Sequence, residues 1–382
     1  MIDIFIPVKN RFNTLKSTLE TCILFLASDR RLQKSRIIIL DCRSSDIPHL
    51  WINSLPSFVV YSRTLDNLSM SANWERSFNL MTNPYFTFVG SDDGLIYNQS
   101  SVDKWLSSPC VDCFFWQKIS FFWPDTFSDS TPACVNFPIP FVFCESDDIL
   151  VDIFKSKIPW NALPCVYNSI VKSSFAKNIK ECLPDELFFW NCVPDICSGI
   201  NILKYNANLL YLPVGCGISG VSKSSNGYNF TSGKQSTETI DFLANTKSNS
   251  TNYRFTVDAS LSPLSITASI LLKDTNPPCF SSKIVELAHK AQLKPDQIYL
   301  PRLQNPANGL RARMINFLFA FDKFPTISEF SNFLSRYYQN FSPLLIPYKF
   351  DSLFSDTFNK LIVYLNFFLF VVQLWIAKML TP

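Results

Sequence analysis

The chain has 382 residues, of which 47% are hydrophobic and 17% charged, with a formal net charge of +3. That balance suits a globular protein with a large core and excludes a disordered chain. The small net charge, with no Lys/Arg run, argues against a nucleic-acid binder. The opening residues Met1-Ile2-Asp3-Ile4-Phe5-Ile6-Pro7 lack a basic region followed by an apolar stretch and a cleavage site, so a cytoplasmic protein is expected. In that compartment the twelve cysteines are expected to be reduced and buried. Cys110 and Cys113 form a Cys-x-x-Cys pair, but a structural zinc needs a second pair or suitably spaced histidines, and only His49 and His289 exist.

In chain order, residues 2–6 (IDIFI) read as a short apolar strand ending at Pro7. Residues 13–27 carry Leu15, Leu19, Cys22, Ile23 and Leu26 at helical spacing. Residues 36–40 (RIIIL) form a buried strand running into Asp41, and 58–61 (FVVY) another. Residues 70–82 place Trp74, Phe78 and Met81 on one helical side, and 85–89 (YFTFV) run as a strand into Gly90-Ser91-Asp92-Asp93. Strands alternating with helices predict an α/β fold with a mostly parallel sheet. The aromatic, proline-rich middle, 105–220, holds short strands and one helix near 184–205. Residues 222–252 are rich in Ser, Asn, Thr and Gly and read as a loop or linker. From about 260 the pattern is mainly helical, as at 281–292 and 309–321. The expected division is 1–221 as the main domain, 222–259 as a linker and 260–382 as a mainly helical C-terminal region.

Ligands of parallel sheets bind beyond the carboxyl ends of the strands. Asn10, Asp41, Asp46, Asp92 and Asp93 all fall just past predicted strand ends, on one edge. Acidic residues gathered there suit a metal and a polar ligand. One or two such carboxylates can hold Mg²⁺ or Mn²⁺ when a bound ligand supplies the remaining oxygens. Each residue also has a plainer role: Asp92-Asp93-Gly94 as an acidic turn, and Asp41 as a turn residue before Ser44 and Ser45.

Three segments in order resemble the inverting nucleotide-sugar transferases of glycosyltransferase family 2, with the GT-A fold. IDIFIPVKNRFNTLKSTLETCI is similar to that family's first strand, turn and helix, and IIILDCRSSD to its strand ending in Asp. NLSMSANWERSFNLMTNPYFTFVGSDDGL is similar to its helix, strand and metal-binding acidic cluster. The resemblance covers about the first 220 residues. It implies a hexosyltransferase-like enzyme moving a sugar from a nucleotide diphosphate donor, typically UDP-linked, to a glycan or lipid-linked acceptor in polysaccharide synthesis. Asp41 then accepts a hydrogen bond from the nucleotide base, and Pro7, Val8 and Asn10 wrap the nucleoside. Asp92 contacts ribose or metal, and Asp92 and Asp93 hold Mn²⁺ or Mg²⁺. Ser91 stands where the family has its first acidic residue.

Displacement at the sugar needs a base for the acceptor hydroxyl, and LPDELFFWNCVPDICSGINIL offers Asp185, Glu186 and Asp195. Val-Pro-Asp at 193–195 resembles the Pro-Asp element of a subgroup of the family, which makes Asp195 the candidate; a helix cap is its plainer role. Gly220, Ser222, Ser225 and Gly227 form either a loop over the donor or a linker, and Arg63 and Lys9 are candidates for diphosphate contact. The tail at 361–380 is uncharged until Lys378, at borderline length for a span. It suits peripheral contact with the cytoplasmic face of a membrane, the core, or a partner. A nucleotidyltransferase would want a Gly-rich loop after the first strand, which PVKNRFN lacks. A non-catalytic binding protein on the same fold is the other alternative, kept open by Ser91.

Overall fold

The computed structural model describes residues 1–116, 119–123, 133–134, 143–144, 146–155, 163–183, 186–190, 193–205, 207–212, 215–222, 225, 267–268, 271–272, 281–292, 326–329, 331–332 and 335. Asp185, Gly227, most of 222–259, the helix expected at 309–321 and the tail at 361–380 lie outside the described residues.

The main sheet has eight strands in the order β3-β2-β1-β4-β10-β6-β11-β9. They are β1 Ile2–Val8, β2 Arg36–Cys42, β3 Val59–Thr64, β4 Tyr85–Phe88, β6 Cys113–Phe115, β9 Phe143–Cys144, β10 Ser169–Lys172 and β11 Leu209–Tyr211. Strands β1 to β4 pair in parallel. Strand β10 is antiparallel to both β4 and β6, β11 is parallel to β6, and β9 is antiparallel to β11. The α/β class with a mostly parallel sheet is therefore as expected. A smaller sheet, β5 (Gly94–Leu95), β12 (Gly217–Val221), β7 (Ile119–Phe122) and β8 (Ala133–Cys134), stands beside it.

The central strands are mainly apolar because both faces are covered. Helix α1 (Phe12–Ala27) packs Leu15, Leu19, Cys22 and Phe25 against Ile4, Ile6, Ile37 and Ile39, joined there by α5 (Gln99–Leu106). On the other face, Phe5, Ile38, Leu40, Phe86 and Phe88 meet Trp74 of α3 (Met70–Glu75) and Phe78 of α4 (Ser77–Leu80). That core also takes α6 (Ser146–Phe154), α7 (Ser173–Cys182), α8 (Pro194–Lys204) and α9 (Ser282–Gln292). The helix expected over 70–82 is thus two short ones meeting at Arg76. Arg76 reaches back to the carbonyls of Asp41 and Ser62. Another short helix, α2 (His49–Asn53), follows β2.

Pro7 sits in a central strand yet removes no ladder bond. Phe5 accepts from Val89 N–H on the β4 side, and Pro7, two residues on, faces the same way. Strand β4 ends at Phe88, opposite Phe5, so Pro7 lies where the ladder on that side has run out. Strands β1 to β4 all end on one edge, and reversed β10 brings its leading turn, Val166–Asn168, to that edge too.

Among the described residues no helix is long and apolar enough to cross a membrane. The described part of the expected helical C-terminal region includes α9, which matches 281–292.

Candidate active site

The loops after β1 and β2 are tied into one piece. Asn10 takes a left-handed conformation, φ 52°, which Asn tolerates better than most residues. Its N–H donates to Ser44 Oγ (2.9 Å), and its side-chain oxygen accepts from Ser45 N–H (2.9 Å). Asp46, expected among the ligand-facing acids, is exposed and accepts from Phe12 N–H (2.8 Å), satisfying an open donor at the start of α1. Val8 is a core residue and Pro7 is half-buried. Lys9 reaches Asn67 at 2.8 Å on the surface.

Asp41 belongs to β2 rather than to the loop beyond it, and its side chain is 0% exposed. One carboxylate oxygen accepts from Ser44 N–H (2.9 Å). The other accepts from the Tyr61 hydroxyl (2.7 Å) and lies 3.4 Å from Arg63 Nε. Arg63 also donates to the Ser44 carbonyl (2.9 Å). Burial, then the hydrogen bond to Asp41, pushes the Tyr61 pKa up, so the phenol holds its proton. Tyr61 and Arg63 share Asp41's face because β2 and β3 pair Ile39 with Tyr61 and Asp41 with Arg63.

The acidic turn after β4 divides its labour. Asp93 is anchored by main chain: Oδ1 accepts from Gly220 N–H (2.8 Å) and Oδ2 from Gly90 N–H (3.3 Å). Its carbonyl accepts from Thr18 of α1 (2.7 Å). Asp92 is held by side chains: Oδ2 accepts from the hydroxyls of Ser222 (3.0 Å) and Ser225. Asp92 Oδ1 faces only the Arg11 guanidinium, at 3.8 Å, with no hydrogen bond from any described residue. Ser91 is buried. Gly220 lies so close to the turn that a Cβ there would fall 1.6 Å from the Asp92 carbonyl oxygen. The close approach, not a left-handed φ, demands glycine.

Among the described residues no three His, Cys, Asp or Glu side chains are grouped to hold a metal. Among the described residues, the carboxylate oxygen of the acidic turn without a hydrogen bond, and so open to a divalent cation, is Asp92 Oδ1. That is enough where phosphates supply further ligands, although the Arg11 cation already faces it.

Asp195 lies in the first turn of α8, where a carboxylate is favoured by the helix dipole. Its carbonyl accepts from Ser198 Oγ (2.6 Å), which in turn accepts from Val166 N–H (3.2 Å). This links α8 to the turn carrying Tyr167. Tyr167 packs edge-on against Trp74, with ring centroids 4.7 Å apart. Burial raises its pKa, and Asp93, Asp195 and Asp92 raise it further while Arg11 opposes them. Because the turn carrying Tyr167 leads into β10 beside the end of β4, Asp195 and the acidic turn share one edge of the sheet. Glu186 is exposed in the turn after α7, and its carbonyl accepts from Lys180 Nζ.

The structure thus gathers Asn10, Asp41, Arg63, Asp92, Asp93 and Asp195 along one edge. Sequence reasoning missed Arg11, Tyr61, Thr18 and Tyr167. Strand alternation from Arg63 would have given Tyr61; Tyr167 had no signal, because its place depends on the reversal of β10.

No family model matches the sequence, and no curated protein matches it. Solved structures similar in shape include S. aureus TarS 1–349 in complex with UDP-GlcNAc. It is 10% identical, with a TM-score of 0.49, and the match covers 99% of this chain and 92% of that one. The same protein in complex with UDP gives 11% identity, a TM-score of 0.45 and coverage of 99% and 91%. Identities and scores this low establish neither family nor activity.

Proposed function

We propose that the protein is an inverting glycosyltransferase that uses a nucleotide diphosphate sugar, UDP-linked, and a hydroxyl acceptor of a glycan or lipid-linked glycan. The observation that carries this reading is the meeting, on one edge, of the corner built by Asn10, Asp41, Tyr61 and Arg63 with an acidic turn and Asp195. The nucleoside lies across Pro7, Val8 and Asn10, with its base toward Asp41 and Arg63. The diphosphate lies toward Asp92 and Arg11. A Mn²⁺ or Mg²⁺ ion on Asp92 Oδ1 would neutralise charge gathering on the leaving diphosphate; Asp93 positions the turn rather than binding the ion. Asp195 takes the acceptor hydroxyl's proton as the acceptor oxygen bonds to the anomeric carbon. The bond from that carbon to the β-phosphate oxygen breaks, and the nucleoside diphosphate leaves. One displacement inverts the anomeric centre.

A second reading, a nucleotide-sugar-binding protein without transfer, is favoured by the Arg11 guanidinium facing Asp92. One comparison separates the two. Wild type should hydrolyse a UDP-sugar slowly, and Asp195→Asn should lower kcat by about 10²-fold or more while UDP affinity by calorimetry holds. A folded Asp195→Asn protein with normal kcat removes the base assignment. UDP binding with no turnover of any UDP-sugar, with or without Mn²⁺ and a glycan acceptor, favours the second reading.

A further inference from the structure

We propose that the base-reading surface is the pair Tyr61 and Arg63, and that Asp41 is a positioning residue acting through Tyr61. The pair selects a base presenting an N–H beside a carbonyl, uracil among the pyrimidines. The inference rests on the nucleotide-binding reading above and replaces its direct contact between Asp41 and the base. Asp41 is closed off: its side chain has no exposure, and Ser44, Tyr61 and Arg63 surround its two oxygens. A ligand arriving at this corner meets Tyr61, half-buried, and Arg63, whose side chain is 35% exposed. The Tyr61 hydroxyl spends its only proton on Asp41. Its lone pairs accept no hydrogen bond among the described residues, so toward a ligand it is an acceptor only. Arg63 donates through Nη2 to Ser44 and directs Nε at Asp41; Nη1 donates to no described residue. An acceptor beside a donor complements an imide edge, where N–H adjoins C=O. Uracil N3–H with O2 or O4 fits; cytosine N3 is itself an acceptor and would face the Tyr61 lone pairs. Asp41 fixes the direction of the phenol proton, and so the sense of the code.

The test is calorimetric, on the full chain. Wild type should bind UDP at least about tenfold tighter than CDP, and N3-methyl-UDP as weakly as CDP. Tyr61→Phe keeps the ring, removes the acceptor and should erase the UDP preference, bringing UDP and CDP to similar affinity. Equal wild-type affinity for UDP and N3-methyl-UDP would overturn the inference without any mutation. So would a Tyr61→Phe protein that keeps the UDP preference. Failure of wild type to bind any nucleoside diphosphate strikes the underlying reading instead, an outcome distinct from either of these.

Discussion

Asp92 and Asp93 are adjacent, but one is gripped by hydroxyls and the other by peptide N–H groups. They should fail differently. Asp93→Asn turns one acceptor into an NH₂ group that faces a buried N–H, leaving a donor unpaired at a cost of about 1–3 kcal/mol. Its melting temperature should drop, with UDP binding recovered below the melt. Asp92→Asn should melt almost as wild type, because hydroxyls can reorient toward an amide, yet lose any Mn²⁺-dependent gain in UDP affinity. A stable Asp93→Asn, or an Asp92→Asn that keeps the Mn²⁺ gain, would refute this division. Much of the site at this scale was legible: Asp41, Asp92, Asp93 and Asp195 follow from strand ends and motif. The partners that decide their roles were not. Gly220 and Ser222 lie more than a hundred residues from Asp93 and Asp92, and no local pattern announces such a contact.

At the scale of elements, strand β12 acts as a clip on the turn after β4. Its N–H at Gly220 reaches Asp93, and its backbone presses on the Asp92 carbonyl. Gly220→Ala would drive a methyl into that carbonyl, so strand or turn must move. A loss of at least about 3 kcal/mol is expected, read by chemical denaturation, together with loss of UDP binding. A near-wild-type Gly220→Ala would mean that the clip yields. Legibility here was uneven for physical reasons. Strands β1, β2 and β4 are mainly apolar runs, β3 begins as one, and α1 keeps a helical period, so their positions were read within a few residues. The helix over 70–82 was read as one because its apolar spacing continues through Arg76. The short strands of the middle depend on pairing partners distant in sequence, which periodicity does not carry.

For the whole molecule, burial on both faces of the sheet sets the chemistry of the thiols. Cys22 and Cys216 are buried and their pKa values are pushed up to about 12; burial raises Cys113 as well. Cys110 and Cys182 are exposed. Brief labelling of the native protein at pH 8, mapped by mass spectrometry, should modify Cys110 and Cys182 and spare Cys22, Cys113 and Cys216 until denaturant is added. Early modification of those three would contradict the packing described. The same architecture governs how sequence variation can reach the two acids of the turn. The groups around the Asp92 carboxylate are side chains, Ser222, Ser225 and Arg11, so a single codon elsewhere can change its surroundings. Peptide N–H groups, present at every residue but proline, hold Asp93, and a substitution at Gly90 or Gly220 reaches it by shifting the backbone that carries the donor. Drift in sequence can therefore retune one carboxylate by degrees, whereas the two main-chain bonds to the other change when the path of the chain changes.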